Sequence, residues 1–274
     1  SSMRPAWVRA VLRWDAAHRD PHTAGRFGER AFWEAAYAAR RAPNEWFLSA
    51  EVAARSISDA HAAHARRYPS PPQALSAINI GCGTSCLGTA LAARFAADAR
   101  VTLIAEVVNT DYSTDALRSL EAAQRALAGS ATQRYVHWDA TSTLGSPMPS
   151  AESSAFDLVL DKGTLDAACF AGDAQLVGYL DSIRSYLLAA RSCDAAGAPP
   201  PLYVHFSDEP PEMRGELIRS AFPAVDEDAS GARWRIMSSE VHVDDDNNES
   251  SAESGAQSTF DFAYYRYTVW RGTE

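Results

Sequence analysis

The sequence has few cysteines and no long apolar run, and both absences restrict its class. Its four cysteines are Cys82, Cys86, Cys169 and Cys193, and no two of them form a C-x-x-C pair. Cys82 and Cys86 have no histidine nearby, so we expect no metal site and interpret the thiols as those of a reduced intracellular protein. No apolar stretch reaches the roughly 20 residues that a membrane-spanning helix needs, so no membrane partner is expected.

Positive charge is also scarce in this chain. Lysine and arginine together number 25 against 35 acidic residues, and the formal net charge is −10. Such a balance disfavours a groove for the phosphate backbone of a nucleic acid, so we expect no nucleic-acid partner. The 274 residues, 46% of them hydrophobic, are enough to bury the core of one domain, with or without an extension.

A glycine turn is the most informative local feature of the sequence. The apolar run from Ala77 to Ile80 predicts a buried strand, which breaks at Gly81 and Gly83 before a helical pattern from Leu87 to Phe95. Glycines let the backbone approach a ligand closely, and the N-terminus of the following helix supplies free N–H groups. Taken alone, the stretch fits a structural glycine turn as well as a site for a nucleoside cofactor, and the position of Asp111 favours the cofactor site.

Acidic residues follow the next two predicted strands. The run from Val101 to Val108 leads to Asp111, and Tyr135 to Trp138 leads to Asp139. Because such tips line one edge of a parallel sheet, Asp111 can accept both ribose hydroxyls and Asp139 can meet the exocyclic amine of an adenine. For Asp139, the local sequence supports a helix cap equally well.

Two cofactor classes fit this pattern. The dinucleotide fingerprint requires a third glycine, and Cys86 stands at that position, which disfavours a nicotinamide-dependent oxidoreductase. The two glycines followed by Thr84 and Ser85 resemble the first motif of class I S-adenosylmethionine methyltransferases. That family usually has an acid where this chain has Asn79. We therefore expect a neutral amide there to bind the methionine end of the cofactor, with reduced affinity.

The N-terminal third is predicted to be a helical extension that precedes the sheet. Residues 1–20 form a basic amphipathic start, which fits either a mitochondrial presequence or an ordinary N-terminal helix. Aromatic residues at 32–37 and 45–47 are typical of core packing when taken alone. A helix over 49–67 ends before a proline cluster. We divide the chain into an extension and cofactor-capping segment, 1–72, and a methyltransferase domain, 73–274.

The second half contains the remaining strands of the predicted sheet. Phe156 to Leu160 is a buried strand, and the charged residues after it are expected to face the substrate entrance. A helix over 174–190 and a strand over 202–206 follow. Strands at 234–243 and 260–270 predict an antiparallel hairpin. Residues 244–258 between them carry five acids and no base, so we expect a mobile loop.

Several motifs together resemble one branch of the seven-strand methyltransferases. Residues 161–167, Asp-Lys-Gly-Thr-Leu-Asp-Ala, resemble the signature of lysine methyltransferases that act on single non-histone proteins. Residues 109–113 resemble the ribose-binding motif of that branch, and the aromatic segments at 32–37 and 45–47 resemble its entry segment. Within this branch, Phe206 to Glu209 and the closing strand most resemble the lysine methyltransferase that acts on citrate synthase. The lysine methyltransferases that act on elongation factor 1-alpha come second.

This resemblance implies a doubly wound α/β Rossmann-like sheet of seven strands, mostly parallel, with an antiparallel C-terminal hairpin and an N-terminal helical cap. It implies methylation of a protein lysine by S-adenosylmethionine, which leaves S-adenosylhomocysteine, in a monomer of the mitochondrial matrix or cytoplasm. A small-molecule methyltransferase, an oxidoreductase and a binding module without catalysis are the alternatives. Asp161 is the expected catalytic residue, or else a cap of the next turn. The expected cofactor residues are Trp33, Tyr37, Asn79, Gly81, Cys82, Gly83, Ser85, Asp111, Tyr112, Ser113, Asp139, Ala140 and Asp161.

Overall fold

A computed structural model describes residues 5–18, 26–39, 45–70, 74–125, 131–142, 156–189, 197–224, 232–243 and 263–272. A short 3-10 helix covers Arg26–Gly28. The α-helices are α1 (Ala6–His18), α2 (Arg30–Ala38), α3 (Ala50–Ala65), α4 (Leu87–Ala97), α5 (Thr114–Gln124), α6 (Thr164–Ala171), α7 (Asp173–Leu188) and α8 (Arg214–Ala221). The strands are β1 (Leu75–Ile80), β2 (Ile104–Asp111), β3 (Thr132–His137), β4 (Leu158–Lys162), β5 (Leu202–Ser207), β6 (Arg233–Val241) and β7 (Tyr264–Gly272).

The strands form one mixed sheet in the order β3-β2-β1-β4-β5-β7-β6. The first five pair in parallel, whereas β7 is antiparallel to both β5 and β6. This is the α/β Rossmann-like fold of the seven-strand methyltransferases. The expected doubly wound sheet with an antiparallel C-terminal hairpin is confirmed.

Apolar side chains cover both faces of the sheet. One core cluster joins the sheet to α1, α6, α7 and α8, and the other joins it to α3 and α4. The centre of β4 reads Leu-Val-Leu over 158–160, and all three side chains have no exposed surface. A strand that is buried on both faces needs such a continuous apolar run, which explains why the sequence pattern located it.

The N-terminal helix belongs to the first of these cores. Trp7, Val8 and Val11 are buried there, and the ring of Trp7 lies 4.9 Å from the guanidinium of Arg184 on α7. Helix α1 thus contributes to the methyltransferase core, although the sequence placed it in a separate extension. None of the helices over the described ranges is long and apolar enough to cross a membrane.

Several boundaries differ from the sequence-based expectations. Strand β2 begins at Ile104 instead of residue 101, because residues 99–101 form a turn and a bend. Helix α6, a separate helix at 164–171, was expected only as a capped turn. The acidic segment 244–258 lies outside the described residues, so its expected mobility stays a prediction.

Candidate functional site

The C-terminal ends of β1, β2 and β4 border an open cleft. The chain continues from β1 toward β2 and β3 on one side, and from β4 toward β5 on the other. Doubly wound sheets bind their ligands where the strand order reverses in this way. The cleft has a volume of about 680 Å³, and a neighbouring cavity of about 860 Å³ shares Trp33, Gly81 and Tyr112 with it.

Most of the predicted cofactor residues line these two spaces. The cleft is lined by Trp33, Tyr37, Asn79, Gly81, Cys82, Gly83, Ser85, Asp111 and Tyr112. The neighbouring cavity is lined in addition by Asp139 and Ala140. Ser113 and Asp161 line neither space. The sequence motifs therefore converge on one region, and their contacts with a cofactor stay a prediction.

The two glycines of the turn are needed for different close approaches. Both have positive φ, 61° for Gly81 and 53° for Gly83, which L-residues adopt at a cost. A Cβ on Gly81 would lie 2.2 Å from Oγ1 of Thr164, and one on Gly83 would lie 2.7 Å from the hydroxyl of Tyr37. The turn can therefore contact the first residue of α6 and the aromatic helix α2 only with glycine at both positions.

Asp111 is held rigidly at the tip of β2. It is 4% exposed, and its two oxygens accept hydrogen bonds from the backbone N–H groups of Gly83, at 2.9 Å, and Ser113, at 2.8 Å. Burial raises the pKa of this carboxyl group, and the two backbone donors oppose the change. Each oxygen keeps a free lone pair for a ligand hydroxyl. The side chain of Ser113 itself caps α5 by accepting from the N–H of Ala116.

A cluster of aromatic rings covers the cleft. The rings of Trp33 and Tyr37 on α2 are stacked at 5.9 Å, and Trp46 lies 4.9 Å from Trp33. Phe27 meets Trp46 edge-on at 5.2 Å. Since α2 has no buried residue, its aromatic face is its main contact with the domain. The aromatic segments, which are typical of core packing when taken alone, here form a cover over the cleft.

Asp139 caps a turn and also lines the second cavity, and its contact with an adenine stays a prediction. One carboxylate oxygen accepts hydrogen bonds from the N–H and hydroxyl of Thr141, at 2.9 and 2.7 Å, as in a capped turn. The other oxygen lies 3.4 Å from a guanidinium nitrogen of Arg30 and lines the second cavity. Arg30 also lies over the ring of Tyr112 at 5.1 Å. The sequence analysis missed Arg30, because no local pattern distinguishes it from other surface arginines.

Lys162, the only lysine in the chain, fastens the aromatic cover to the sheet. The sequence placed this charge at the substrate entrance, yet the side chain is only 4% exposed. Its Nζ donates to Oε2 of Glu45 at 2.6 Å and to the carbonyls of Trp46 and Leu48 at 2.8 and 3.0 Å. Burial lowers the pKa of Lys162, and Glu45 opposes this change. All three ammonium hydrogens are used, so the group is unavailable as a base.

Glu45 links the same segment to the glycine turn. Its carboxylate accepts from the hydroxyl of Ser85 at 2.8 Å and from the N–H of Cys86 at 3.2 Å. These five hydrogen bonds of Glu45 and Lys162 define what we call the latch. It joins residues 45–48 to the tip of β4 and to the start of α4.

A strained residue lies within the latch. Phe47 has φ 63°, a conformation that a bulky side chain adopts only at a cost of about 1–3 kcal/mol. It stands between the two carbonyls that bind Lys162, so the ammonium holds the backbone on both sides of it. A Cβ added to Gly163 would lie 3.1 Å from the Phe47 ring. The glycine therefore allows this ring to pack on the tip of β4.

Asp161 points into the protein and not into the cleft. It is 1% exposed and caps α6, as the sequence allowed in its alternative to catalysis. Four donors bond to its oxygens: the N–H groups of Thr164 and Leu165, at 2.6 and 3.0 Å, and the hydroxyls of Tyr179 and Tyr203, at 2.7 and 3.0 Å. Burial alone would raise the pKa of Asp161, but nearby His205 and these hydrogen bonds hold it below its usual value.

A second buried carboxylate lies beside this network. Asp166 accepts hydrogen bonds from the guanidinium of Arg214 at 2.7 Å and the hydroxyl of Ser207 at 2.6 Å. The imidazole of His205, which has no exposed surface, lies 3.1 Å from Asp161 and 3.5 Å from Asp166. Within the motif at 161–167, Asp161 and Asp166 thus make structural contacts beneath the cleft. Four other residues of the motif line the cleft: Lys162, Gly163, Thr164 and Ala167. The described part of the chain contains no cluster of histidine, cysteine and acidic side chains suited to a metal ion.

Comparisons with known proteins give similarity of structure only. No protein-family model matches the sequence, and no curated protein sequence matches it significantly. Magnesium protoporphyrin IX methyltransferase from Synechocystis PCC 6803, solved with bound S-adenosylmethionine, is 12% identical over 98% of this chain and 86% of its own, with a TM-score of 0.41.

Two further solved structures are similar at the same level. An S-adenosylmethionine-dependent methyltransferase from Clostridium acetobutylicum ATCC 824 is 10% identical over 82% of this chain and 93% of its own, with a TM-score of 0.44. A protein from a study of disulfide-to-thioacetal conversion in echinomycin biosynthesis is 16% identical over 89% and 93%, with a TM-score of 0.47. At these identities and scores, the fold of this chain is assigned from its strand order. The substrates of the three similar proteins cannot be assigned to this chain.

Proposed function

We propose that this protein is an S-adenosylmethionine-dependent methyltransferase that acts on a lysine of a specific protein. The observation that carries the proposal is the buried carboxylate of Asp111, held at the tip of β2 by the N–H of Gly83 and facing the cleft. A nucleoside ribose needs a paired acceptor of this kind at this point of a doubly wound sheet. The missing third glycine argues against a dinucleotide.

The residues of the cleft fit such a cofactor along its whole length. Asp111 would accept the ribose hydroxyls, and Asp139 would accept the adenine amine through the oxygen that faces Arg30. Asn79 and the glycine turn line the end left for the methionine part. The bound cofactor supplies an activated methyl group. The work of this chain is to hold donor and acceptor in line and to exclude water.

The aromatic cover suggests how an acceptor lysine would become nucleophilic. At a reference pKa near 10.4, only about 0.04% of a lysine is neutral at pH 7, a cost of about 4–5 kcal/mol. Contact with the rings of Trp46 and Phe47 would desolvate the ammonium and favour its neutral form. The buried position of Asp161 favours this route over direct contact with that carboxylate.

The preferred substrate in this proposal is citrate synthase, with elongation factor 1-alpha second. This order depends on the resemblance at residues 206–209 and in the closing strand. Ser207 is fully buried and bonded to Asp166, whereas Asp208 is exposed directly after the end of β5. A monomer in the mitochondrial matrix or the cytoplasm is part of the same proposal.

A direct methyl-transfer assay tests the proposal. Each purified substrate is incubated with the enzyme and isotope-labelled S-adenosylmethionine, and peptides are mapped by mass spectrometry, with Asp111→Ala as the inactive control. We expect label on one lysine of citrate synthase. Because Lys162 is the only lysine of the enzyme, label from self-methylation is easily identified. If both proteins stay unlabelled while a small amine is methylated, the protein-lysine proposal is wrong.

A further inference from the structure

A chain of three side-chain amides runs from the cleft to helix α4. Nδ2 of Asn79 donates to Oδ1 of Asn109 at 3.2 Å, and Nδ2 of Asn109 donates to Oε1 of Gln133 at 2.9 Å. Nε2 of Gln133 donates to the carbonyl of Gly88 at 3.3 Å. We call this chain the amide relay. It joins β1, β2 and β3 on one face of the sheet.

The far end of the relay determines its direction. A backbone carbonyl can only accept, so Gln133 must turn its NH₂ group toward Gly88 and its oxygen toward Asn109. Asn109 must then donate to Gln133, and the carbonyl of residue 134 accepts from the same NH₂ at 3.4 Å. The side-chain oxygen of Asn109 is then left to accept from the NH₂ group of Asn79. Each amide thus fixes the orientation of the next one.

With the amides oriented in this way, the NH₂ group of Asn79 is bonded to Asn109, and its side-chain oxygen can bond to a ligand in the cleft. The residue is 2% exposed and lines the cleft, and no donor among the described residues bonds to its Oδ1. An amide oxygen on the wall of the cleft can only accept hydrogen bonds, so the expected partner at this position is a donor group of the ligand.

A glycine inside α4 makes room for the relay. A Cβ on Gly88 would lie 2.7 Å from Oδ1 of Asn109 and 2.8 Å from Oε1 of Gln133. Gly88 is the second residue of α4 and faces the two amides from the first turn of the helix. The space that the two amides occupy is a physical reason for this glycine, and it is independent of the hydrogen bonds.

We propose that the amide relay is a positioning device that aims the carbonyl oxygen of Asn79 at the cationic α-ammonium of the cofactor's methionine part. This inference rests on the proposed function. It gives a reason for a neutral amide at this position: an aspartate would place an acceptor against Oδ1 of Asn109 and reverse the relay. Asn109 and Gln133 are positioning residues, since they act through Asn79 and do not line the cleft.

The test compares two nucleosides that differ at the relevant end. S-adenosylhomocysteine carries the α-ammonium, whereas 5′-methylthioadenosine lacks the whole amino-acid part. We expect Asn109→Leu to raise the dissociation constant of S-adenosylhomocysteine at least tenfold in calorimetry, which is about 1.4 kcal/mol, and to change that of methylthioadenosine less than threefold. Gln133→Glu loses the hydrogen bond to Gly88 but retains the acceptor for Asn109, so the ratio of the two affinities should stay near that of the wild type.

Matched variants separate a relay effect from general damage. Gln124→Leu removes a buried amide that lies outside the relay, and it should leave the ratio of the two affinities unchanged. If Asn109→Leu does not fold, Gln133→Leu tests the same ratio from the other end of the relay. Equal losses for both nucleosides, or tighter binding by Asn79→Asp, would overturn the inference while the proposed function stands. A wild-type protein that binds neither nucleoside refutes both.

Discussion

Removing the only lysine of the chain should release the aromatic cover. In Lys162→Met the stem keeps its length, but the ammonium that bonds to Glu45, Trp46 and Leu48 is lost. Nothing would then hold the two carbonyls on either side of Phe47, whose positive φ is maintained by its surroundings. We expect residues 45–48 to detach from the tip of β4, and the aromatic cover to lose its attachment with them.

The size of the effect follows from the contacts that remain. Hydrogen bonds to charged groups contribute about 1.5–3 kcal/mol each when buried. Glu45 is 29% exposed and keeps two donors, from Ser85 and Cys86, so part of the loss is recovered. We therefore expect the free energy of unfolding to fall by about 2–4 kcal/mol. At about 2–4 °C per kcal/mol for a chain of this size, the melting temperature should fall by about 4–16 °C.

Thermal and urea unfolding of purified variants measure this change. Arg125→Met is the control, because its guanidinium is 75% exposed and pairs with Glu121 on the surface, an interaction worth about 0–1 kcal/mol. Lys162→Arg keeps the charge, but a planar guanidinium cannot present one atom to three converging acceptors, so it should restore little stability. If Lys162→Met unfolds like the Arg125→Met control, the latch has no energetic role and the reasoning is refuted.

Three further outcomes are expected. Asp111→Ala should weaken binding of S-adenosylhomocysteine at least thirtyfold in calorimetry, because the ribose hydroxyls lose their acceptor; wild-type affinity would contradict the assignment. Asp161→Asn should lower stability at pH 7 by about 1–3 kcal/mol. Because the pKa of Asp161 is lowered on folding, the deficit in urea unfolding should shrink as the pH falls below about 3.8. Normal stability with turnover reduced a hundredfold would instead support catalysis by Asp161. Replacing residues 244–258 with a short Gly-Ser linker should leave the melting temperature within a few degrees, and a collapse would show that the loop packs on the domain.

The positions of the strands and of the cleft could be predicted because their signals are local. The apolar run into Gly81, and the positions of Asp111 and Asp139 at strand ends, require only the periodicity of one strand and the conformational freedom of glycine. The order of such elements along the chain indicated a parallel sheet with an antiparallel hairpin at its end, and the family resemblance implied the doubly wound arrangement of seven strands. For residues 1–20 the sequence left a presequence and an ordinary helix open, because an amphipathic pattern does not indicate which surface the helix covers.

Partners that meet across the sheet were decided only by the tertiary structure. Glu45 and Lys162 are 117 residues apart, and Asn79 meets Asn109 only because β1 and β2 pair in that register. The sequence identified Asp161 as a distinctive carboxylate, yet its burial beneath α6 depends on hydroxyls from α7 and β5. The sequence by itself therefore determined the secondary structure and the strand ends, which depend on local backbone preferences. Side-chain roles depend on which distant groups lie within hydrogen-bonding distance, and only the packed sheet and its helices decide that.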